Sequence, residues 1–232
     1  MKKNIEAIAP VIDTLSPAEG LKYLSELFPG DVVFSSSLGQ EDQVITEMIA
    51  TQKLDIRIFS LDTGRLFPET LDLLARTEHK YKTRIKLYYP NTSSVENLVS
   101  AQGINGFYDS TENRKNCCYV RKVEPLKRAL QGAVIWVTGL RADQNANRSQ
   151  MHKLEWDDSN KVIKYNPLLD WSYDAMLEYI QTNKIPYNPL HDKGFISIGC
   201  APCTRAIAPG ENPRAGRWWW EDSKKECGLH IK

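Results

Sequence analysis

The sequence predicts an α/β fold, a mostly parallel sheet with helices on both faces. Short apolar runs typical of buried strands alternate along the chain with longer segments of helical periodicity, which is the pattern of parallel sheets. Hydrophobic residues make up 41% and charged residues 25% of the 232 residues, the ordinary balance of a globular protein with a sizeable core. The sequence contains no internal repeat and no low-complexity segment.

The elements can be assigned in order. Ser16-Pro17-Ala18-Glu19 has the form of a capping box with proline at the first helical position, which predicts a helix start. The alternation continues through the strand DVVFSSSL, the helix EDQVITEMIATQ, the strand IRIFSLD, the helix PETLDLLARTEHKY, the strand IKLYYP and the helix VENLVSAQ. It ends with the helix CYVRKVEPLKRALQ, the strand AVIWVTGL, a short hairpin of KLEWDD and KVIKYNPL, and the helix WSYDAMLEYIQTN.

The character of the sequence changes after Cys203. Glycines and prolines interrupt the remaining stretch, and no periodicity is sustained. We therefore predict two parts, an α/β domain over residues 1–203 and an extended, mobile C-terminal tail over residues 204–232.

Charge and hydropathy exclude several classes of function. The formal net charge is +1, which argues against a nucleic acid or an anionic membrane surface as the main partner. No apolar run approaches the length of a membrane-spanning helix, and MKKNIEAIAPVIDTL lacks the apolar core and cleavage site of a secretory signal. We therefore expect a cytoplasmic protein. The sequence leaves the oligomeric state open, a homo-oligomer included.

Three predicted strands end in polar residues suited to an anion. The carboxyl ends of parallel strands lie at one edge of the sheet, where helix N-termini offer N–H groups to anions. Each loop alone is equally well explained as turn and cap chemistry, and the first is neither a Walker A loop nor a GxGxxG motif. Together they predict an anionic, nucleotide-like ligand, and indicate domain 1–203 as a nucleotide-binding domain. The residues concerned are Ser35, Ser36 and Ser37 after the first strand, Asp62, Thr63 and Gly64 after the second, and the stretch with Arg141 and Arg148 after AVIWVTGL.

Five cysteines form an uneven pattern, with a Cys117-Cys118 pair, Cys200 and Cys203 in CAPC, and Cys227 alone. An odd number without a secretory signal argues against a disulfide framework. CxxC is a common metal-binding element, and with the CC pair it predicts four thiolate ligands. Neighbouring residues normally point apart, so joint ligation by the pair requires a constrained backbone. Zinc and a [4Fe–4S] cluster both satisfy this chemistry, and the alternative is a buried pair of small hydrophobes.

Several motifs together resemble one enzyme family. SSSLGQEDQV, LDTGRLFPET, the Cys-Cys pair, CAPC and the terminal ECGLH follow the order found in the adenylyl-sulfate (APS) and phosphoadenylyl-sulfate (PAPS) reductase family, specifically in its bacterial assimilatory iron–sulfur branch. The similarity runs from about residue 30 to the C-terminus. Each motif alone is a weak signal, whereas the cysteine pattern followed by ECGLH is a specific combination.

The resemblance implies a fold, a cofactor and site residues. The fold would be that of the adenine-nucleotide α-hydrolases, related to PP-loop enzymes, and the cofactor a [4Fe–4S] cluster. Its ligands would be Cys117, Cys118, Cys200 and Cys203. A sulfate–phosphate anhydride carries several negative charges and requires cations. The cations that match substrate-facing or catalytic positions of the family are Lys122, Arg141, Arg148, Arg214, Arg217 and His230. Arg121 is as readily explained as a solvated surface residue.

Cys227 lies in a polar stretch beside Lys224, Lys225 and His230, where a buried structural cysteine is not expected. A free thiol is only slightly ionised near neutral pH, and nearby cations raise its thiolate fraction. We hypothesise that Cys227 attacks the sulfur of adenylyl sulfate and carries an S-sulfonate after AMP departs. By the resemblance, thioredoxin or glutaredoxin would then release sulfite, because no CxxC remains free for that role. An incidental surface thiol is the alternative.

Two other functions compete with this interpretation. A PP-loop ATP pyrophosphatase, such as a tRNA-thiolating enzyme, needs an SGGxDS-type loop, and SSSLGQED contains one glycine. A non-catalytic, zinc-ribbon-like module would leave the strand-end loops and the terminal CGLH unexplained. For a reductase, Gln40-Glu41-Asp42 supplies no cation for a 3′-phosphate, which favours APS over PAPS, although some cluster-containing members accept both.

Overall fold

The computed structural model describes residues 2–144 and 151–221. The chain divides into two compact units, the first comprising Met1–Ser60, Asp72–Lys86 and Leu130–Asn188, and the second Leu61–Leu71, Leu87–Ala129 and Pro189–Lys232. The division predicted at residue 203 rests on the sequence pattern and stays a prediction, because residues 222–232 lie outside the described part of the chain.

Most helices lie where the sequence periodicity predicts them, but the helix predicted to begin at Cys118 is divided: a helix that was not predicted ends at Cys118, and a π-helical turn, Tyr119–Val123, follows it. In chain order they are α1 Lys2–Thr14, α2 Pro17–Leu27, α3 Gln40–Thr51, α4 Pro68–Tyr81, α5 Thr92–Gln102, α6 Thr111–Cys118, α7 Glu124–Ala129 and α8 Tyr173–Thr182. The predicted capping box is confirmed at α2, where the Glu19 carboxylate accepts the Ser16 N–H and the Ser16 hydroxyl accepts the Glu19 N–H. Helix α1 was not predicted; it contains Pro10, which is an unfavourable residue inside a helix.

The strands form one six-stranded sheet in the order β3-β2-β1-β4-β6-β5. Their bounds are β1 Val32–Ser35, β2 Arg57–Leu61, β3 Lys86–Tyr88, β4 Ile135–Val137, β5 Leu154–Asp157 and β6 Val162–Tyr165. Strand β1 pairs in parallel with β2 and β4, and β4 pairs in parallel with β6. Strands β5 and β6 form the predicted hairpin and pair antiparallel. The mostly parallel sheet predicted from the sequence is therefore confirmed.

Strand β1 is a topological switch point. From β1 the chain winds outward through β2 to β3, and it then returns to place β4 on the other side of β1. Because crossovers between parallel strands are right-handed, the two directions of winding put their helices on opposite faces. In such sheets, ligands bind beyond the carboxyl ends of the two strands at the switch. The loops that follow β1 and β4 therefore form the candidate ligand site of the first unit.

The core of the first unit surrounds these strands. Phe34 of β1 and Ile135 of β4 are fully buried, with Ile12 of α1 and Leu21 of α2 packed into the same cluster. Burial of such side chains contributes about 1.5–3 kcal/mol each, so the strands at the switch point are firmly held. No helix among the described residues is long and apolar enough to cross a membrane.

Candidate active site

The loop after β1 is held by its own serines. The Ser35 hydroxyl accepts a hydrogen bond from the Trp136 indole N–H at 2.8 Å, which ties the end of β1 to β4. The Ser36 hydroxyl accepts the Leu38 N–H at 3.1 Å, and Leu38 adopts a positive φ of 62°. The three predicted serines thus shape a tight turn that delivers the chain to the N-terminus of α3.

Asp42 fixes the third serine of this turn. Its carboxylate accepts hydrogen bonds from the Ser37 N–H and the Ser37 hydroxyl, both at 2.6 Å. Burial raises the pKa of Asp42 to about 7, because desolvation of the carboxylate outweighs the stabilising hydrogen bonds from Ser37. Gly139, which follows β4, approaches this carboxylate so closely that an added Cβ would lie 2.1 Å from Oδ1. The turn after β1 and the loop after β4 are thus packed together through Asp42.

Arg141 follows β4 and is buried. Its Nε donates to Glu41 Oε1 at 2.9 Å, and Nη1 pairs with Asp143. Gln144 Nε2 donates to the same Glu41 oxygen at 2.9 Å. The predicted cation is therefore present at the switch point, where two carboxylates pair with it. Arg148 lies outside the described residues.

In the second unit, the turn after β2 lies against the cysteines. The Asp62 carboxylate accepts the Gly64 N–H at 2.8 Å, and Gly64 has a φ of 70° that suits glycine. The Thr63 hydroxyl lies 3.2 Å from Cys200 Sγ, within hydrogen-bonding distance. Arg121 Nη1 donates to the Thr63 carbonyl at 2.6 Å. The motif LDTG thus bridges the CAPC turn and the helix that carries the cysteine pair.

The four predicted ligand cysteines lie in one cluster of the second unit. Cys200 and Cys203 are buried with Phe107 and Trp218, and Cys117 and Cys118 pack against them. The aromatic rings of Phe107, Trp218 and Trp220 pack against the group, in which Cys117 and Cys118 are half-buried. The prediction of a simple buried hydrophobic pair does not account for the convergence of all four thiols.

The backbone leaves the regular α-helical repeat directly after the adjacent cysteines. Helix α6 ends at Cys118, and the next turn, Tyr119–Val123, is a π-helical segment that leads into α7. A π-turn inserts one residue into the helical repeat, and such segments are frequent at functional sites. It changes the register of the side chains that follow, Arg121 and Lys122 among them.

Positive side chains act on these thiols unequally. Burial raises the pKa of Cys200, but Lys122 and the Thr63 hydroxyl outweigh burial, and the net shift is downward. Burial and the neighbouring Cys200 raise the pKa of Cys203 to about 12. Burial also raises the pKa of Cys117, although Arg121 opposes the shift. Lys122 therefore stands beside the cysteines as predicted, and the buried Arg121 belongs to the same group.

Unpartnered donors near the cysteines test whether an anionic cluster fits. The indole nitrogens of Trp218 and Trp220 and Nε of Arg217 are buried without an acceptor among the described residues. Buried N–H groups are nearly always paired, so three such donors around four cysteines indicate an acceptor-rich guest. Within residues 2–144 and 151–221, no group of three or more His, Cys, Asp and Glu side chains has an arrangement that could bind a single metal ion. A [4Fe–4S] cluster has a different requirement, since each thiolate binds a separate iron.

The start of the predicted tail contributes further basic residues. Arg217 is buried, with Nη1 3.4 Å from the Ser197 hydroxyl, and its guanidinium lies 4.7 Å from the centre of the Trp218 ring. Arg214 is half-buried. The predicted nucleophile Cys227 and its neighbour His230 lie outside the described residues, so their roles stay predictions.

Comparison with known proteins decides the family. The phosphoadenosine phosphosulfate reductase domain matches residues 31–206. The chain is 55% identical over 202 residues to an adenosine 5′-phosphosulfate reductase of Allochromatium vinosum, covering 87% of this chain and 79% of that protein. It is 48% identical to an enzyme of the same name from Sinorhizobium fredii, covering 100% of this chain and 92% of that protein. The chain belongs to the APS/PAPS reductase family.

The fold of this family is also found in a solved structure. The crystal structure of phosphoadenylyl-sulfate reductase from Candida auris, a phosphate complex, matches with a TM-score of 0.76 at 28% identity, covering 89% of this chain and 98% of that one. The predictions of the reductase family, of an oxidoreductase that acts on a sulfur group and of the fold are thereby confirmed.

Sequence reasoning missed three residues that lie in the candidate site of this structure. In the sequence, Asp42 is simply part of an acidic stretch, and Arg121 is as readily explained as a surface residue. Arg114 was not considered at all, although it precedes Cys118 by one helical turn. Spacing on the helix was the one signal that pointed to it.

Proposed function

We propose that this protein reduces adenosine 5′-phosphosulfate to sulfite and AMP in assimilatory sulfate reduction, with thioredoxin or glutaredoxin as the electron donor. The convergence of four cysteines with Lys122 and Arg121 in the second unit carries this proposal. It supplies a metal-cluster site and positive charge in a chain that retains a further cysteine, Cys227, for chemistry.

The chemical step is nucleophilic attack by Cys227. Its thiolate forms a bond to the sulfur of the sulfuryl group, and the bond from that sulfur to the bridging oxygen breaks. AMP leaves with the electron pair, and Cys227 carries an S-sulfonate. His230 and Lys122 are proposed to stabilise the charges of this step, as cations beside a phosphoanhydride do.

A dithiol protein completes the reaction. Its first thiolate attacks Sγ of Cys227, and sulfite leaves with the electron pair of the broken sulfur–sulfur bond. The second thiol of the reductant then resolves the mixed disulfide and restores the Cys227 thiolate. The reductant is oxidised to a disulfide, which accounts for both electrons. Such dithiol proteins are maintained in the cytosol, which we propose as the compartment.

Cys117, Cys118, Cys200 and Cys203 are the residues that would hold a [4Fe–4S] cluster. When bound, the cluster supplies a charged, polarisable centre beside the cations and needs no change of oxidation state, because the dithiol supplies both electrons. The orphaned donors of Trp218, Trp220 and Arg217 support this occupant.

The nucleotide is proposed to bind at the switch point of the first unit. The turn of Ser35, Ser36 and Ser37 offers the N-terminus of α3 to the anion. Arg141 is a paired cation there, accompanied by Glu41 and Asp143. Two carboxylates around one arginine disfavour an additional 3′-phosphate, so we propose that APS is the preferred substrate and PAPS a poorer one. The other proposed substrate-binding residues are Asp62, Thr63, Gly64, Arg148, Arg214 and Arg217.

Mass spectrometry of trapped enzyme tests the proposal. Wild-type protein mixed with APS and no reductant is expected to carry a sulfonate on Cys227, which thioredoxin then removes as sulfite. The Cys227→Ser variant should retain iron, acid-labile sulfide and nucleotide binding, yet release no sulfite. Turnover by that variant, or stoichiometric zinc in place of iron, would contradict the assignment. Thermal protection by ATP but not APS would favour a PP-loop pyrophosphatase instead.

A further inference from the structure

A buried ion pair joins the helix of the cysteine pair to the end of the described chain. Arg114 of α6 donates from Nε and Nη2 to the two carboxylate oxygens of Glu221, both at 2.9 Å. Each side chain is only 4% exposed. Bidentate geometry of this kind fixes orientation as well as distance.

The ring of Trp218 also contacts the arginine of this ion pair. The Arg114 guanidinium lies over the Trp218 ring, 4.6 Å from its centre, and the Arg217 guanidinium lies 4.7 Å from the same centre. The backbone N–H of Trp218 donates to the Cys203 carbonyl at 3.3 Å. Arg114 also interacts with the thiol of Cys118. Glu221 is therefore tied to the surroundings of both cysteine motifs.

Stability alone is a weak reason for such a pair. Desolvation of two charges offsets most of their attraction, and well-packed apolar residues often serve a buried position equally well. The best-supported use of a buried polar contact is to specify one geometry among several. The sequence suggests which part of the chain the Glu221 contact positions, because Cys227 follows Glu221 by six residues.

We propose that the Arg114–Glu221 ion pair anchors the C-terminal segment at a fixed point of the second unit, so that Glu221 is a positioning residue for sulfuryl transfer to Cys227. This inference rests on the proposed role of Cys227 as the nucleophile. Arg114 lies on the same helix as Cys117 and Cys118. The ion pair would therefore link the start of the C-terminal segment to the helix that carries two of the proposed cluster ligands.

The reach of the chain sets the size of effect that tests this idea. Six extended residues span at most about 20 Å, which keeps Cys227 within that distance of Glu221. Without the anchor, the buried residue that precedes Glu221 is Trp218, and the stretch of sequence from a buried residue to Cys227 becomes half as long again. Effective concentration falls as roughly the −3/2 power of length, so a longer tether alone slows transfer only about twofold. A larger loss in the transfer rate requires that the ion pair also sets the direction in which the C-terminal segment leaves Glu221.

The experiment compares two reactions of the same thiol in the full-length enzyme. The Glu221→Ala variant is mixed with APS in the absence of reductant, and the S-sulfonate on Cys227 is quantified over a single turnover. Alkylation of Cys227 by iodoacetamide is measured in parallel, because a small, freely diffusing electrophile does not depend on the anchor. The matched control is Glu211→Ala, which removes another bidentate partner of an arginine, Arg205, in the same C-terminal stretch.

We expect S-sulfonate formation to slow at least tenfold in Glu221→Ala, with alkylation unchanged or faster and Glu211→Ala behaving as wild type. A change of twofold or less in the transfer rate would overturn the proposal. If Glu221→Ala loses iron, the Glu221→Gln variant decides: it keeps one acceptor oxygen, an intermediate transfer rate supports the anchor, and the wild-type rate overturns it. Failure of wild-type enzyme to form any S-sulfonate would instead refute the role of Cys227.

Discussion

Asp42 accepts two hydrogen bonds from Ser37, one from the backbone N–H and one from the hydroxyl, and both measure 2.6 Å. The pairing couples the charge of a buried carboxyl to the shape of the turn that precedes α3. A deprotonated Asp42 holds Ser37 through two charge-assisted bonds, and protonation removes the charge that makes them strong. Glu41 adds negative charge beside it.

The Asp42→Asn variant is expected to alter the pH dependence of stability. Because burial raises the pKa of Asp42 from 3.8 to about 7, the folded protein binds its proton more tightly than the unfolded chain. The stabilisation that comes from tighter proton binding by Asp42 in the folded state is therefore fully present below about pH 4, and it is lost as pH rises through about 7. Each pH unit between the two pKa values corresponds to about 1.4 kcal/mol, and about two of these units lie above pH 5, so between pH 5 and pH 8 the wild type loses roughly 3 kcal/mol that the variant does not. Urea unfolding at pH 5 and pH 8 measures this, and parallel losses in both proteins would contradict it.

The Gly139→Ala variant is expected to disturb the same turn from the other side. A Cβ there would meet the Asp42 carboxylate at 2.1 Å, so Asp42 or the loop after β4 must move. Overpacking typically costs about 1–3 kcal/mol, and we expect AMP to bind about tenfold more weakly. Calorimetric titration gives the Kd. Gly39→Ala is the matched control, since its Cβ would have ordinary contacts of 3.4 Å or more; equal affinity of both variants would refute the argument.

The order of elements in the sheet could be predicted because burial on both faces leaves a clear pattern. The strands β1 and β4 are continuous apolar runs, and the helices between them carry regular polar faces. The turn that joins β5 and β6 could likewise be predicted from its polar residues. Helix α1 was not predicted; it contains Pro10 and is stabilised by packing of Ile8 and Ile12 in the core, a tertiary contact that the sequence does not display.

The candidate site could be predicted only where chemistry is local in sequence. Cysteine spacing identified the four thiols that the fold brings together. Burial of a charged residue depends on distant partners, and Arg121 finds its acceptor 58 residues away, at the Thr63 carbonyl. The π-helical turn after Cys118 likewise has no signature in residue periodicity. Such features become visible only once tertiary contacts are known.

A second stability prediction concerns a charge inside the sheet. Lys164 of β6 lies 3.6 Å from Glu155 of β5, and both side chains are buried. The Glu155→Ala variant leaves a buried ammonium group without this carboxylate, so we expect a loss of about 3–5 kcal/mol in the free energy of unfolding. Replacing both residues by methionine should restore most of it. Glu26→Ala, which breaks the exposed pair with Lys22, is the control and should change stability by less than about 1 kcal/mol. Equal effects of the two single variants would contradict the assignment.

Thr63 offers a test of the cysteine site that does not depend on turnover. Its hydroxyl lies 3.2 Å from Cys200 Sγ, and toward a metal-bound thiolate it is the donor. Hydrogen bonds to cluster sulfurs stabilise the more negative, reduced state and raise the reduction potential. Thr63→Val keeps the shape and removes the donor. A net hydrogen bond of about 1 kcal/mol corresponds to roughly 40 mV for one electron, so the potential of the proposed [4Fe–4S] cluster should fall by that order.

The Thr63→Ser variant is the matched comparison, because it keeps the hydroxyl and should keep the wild-type potential. Redox titration followed by electron paramagnetic resonance measures all three proteins at equal iron content. A potential that shifts in the serine variant but not in the valine variant would show that packing of the methyl group, and not hydrogen bonding by the Thr63 hydroxyl, tunes this sulfur. An unchanged potential in both would place the hydroxyl outside the influence of Cys200.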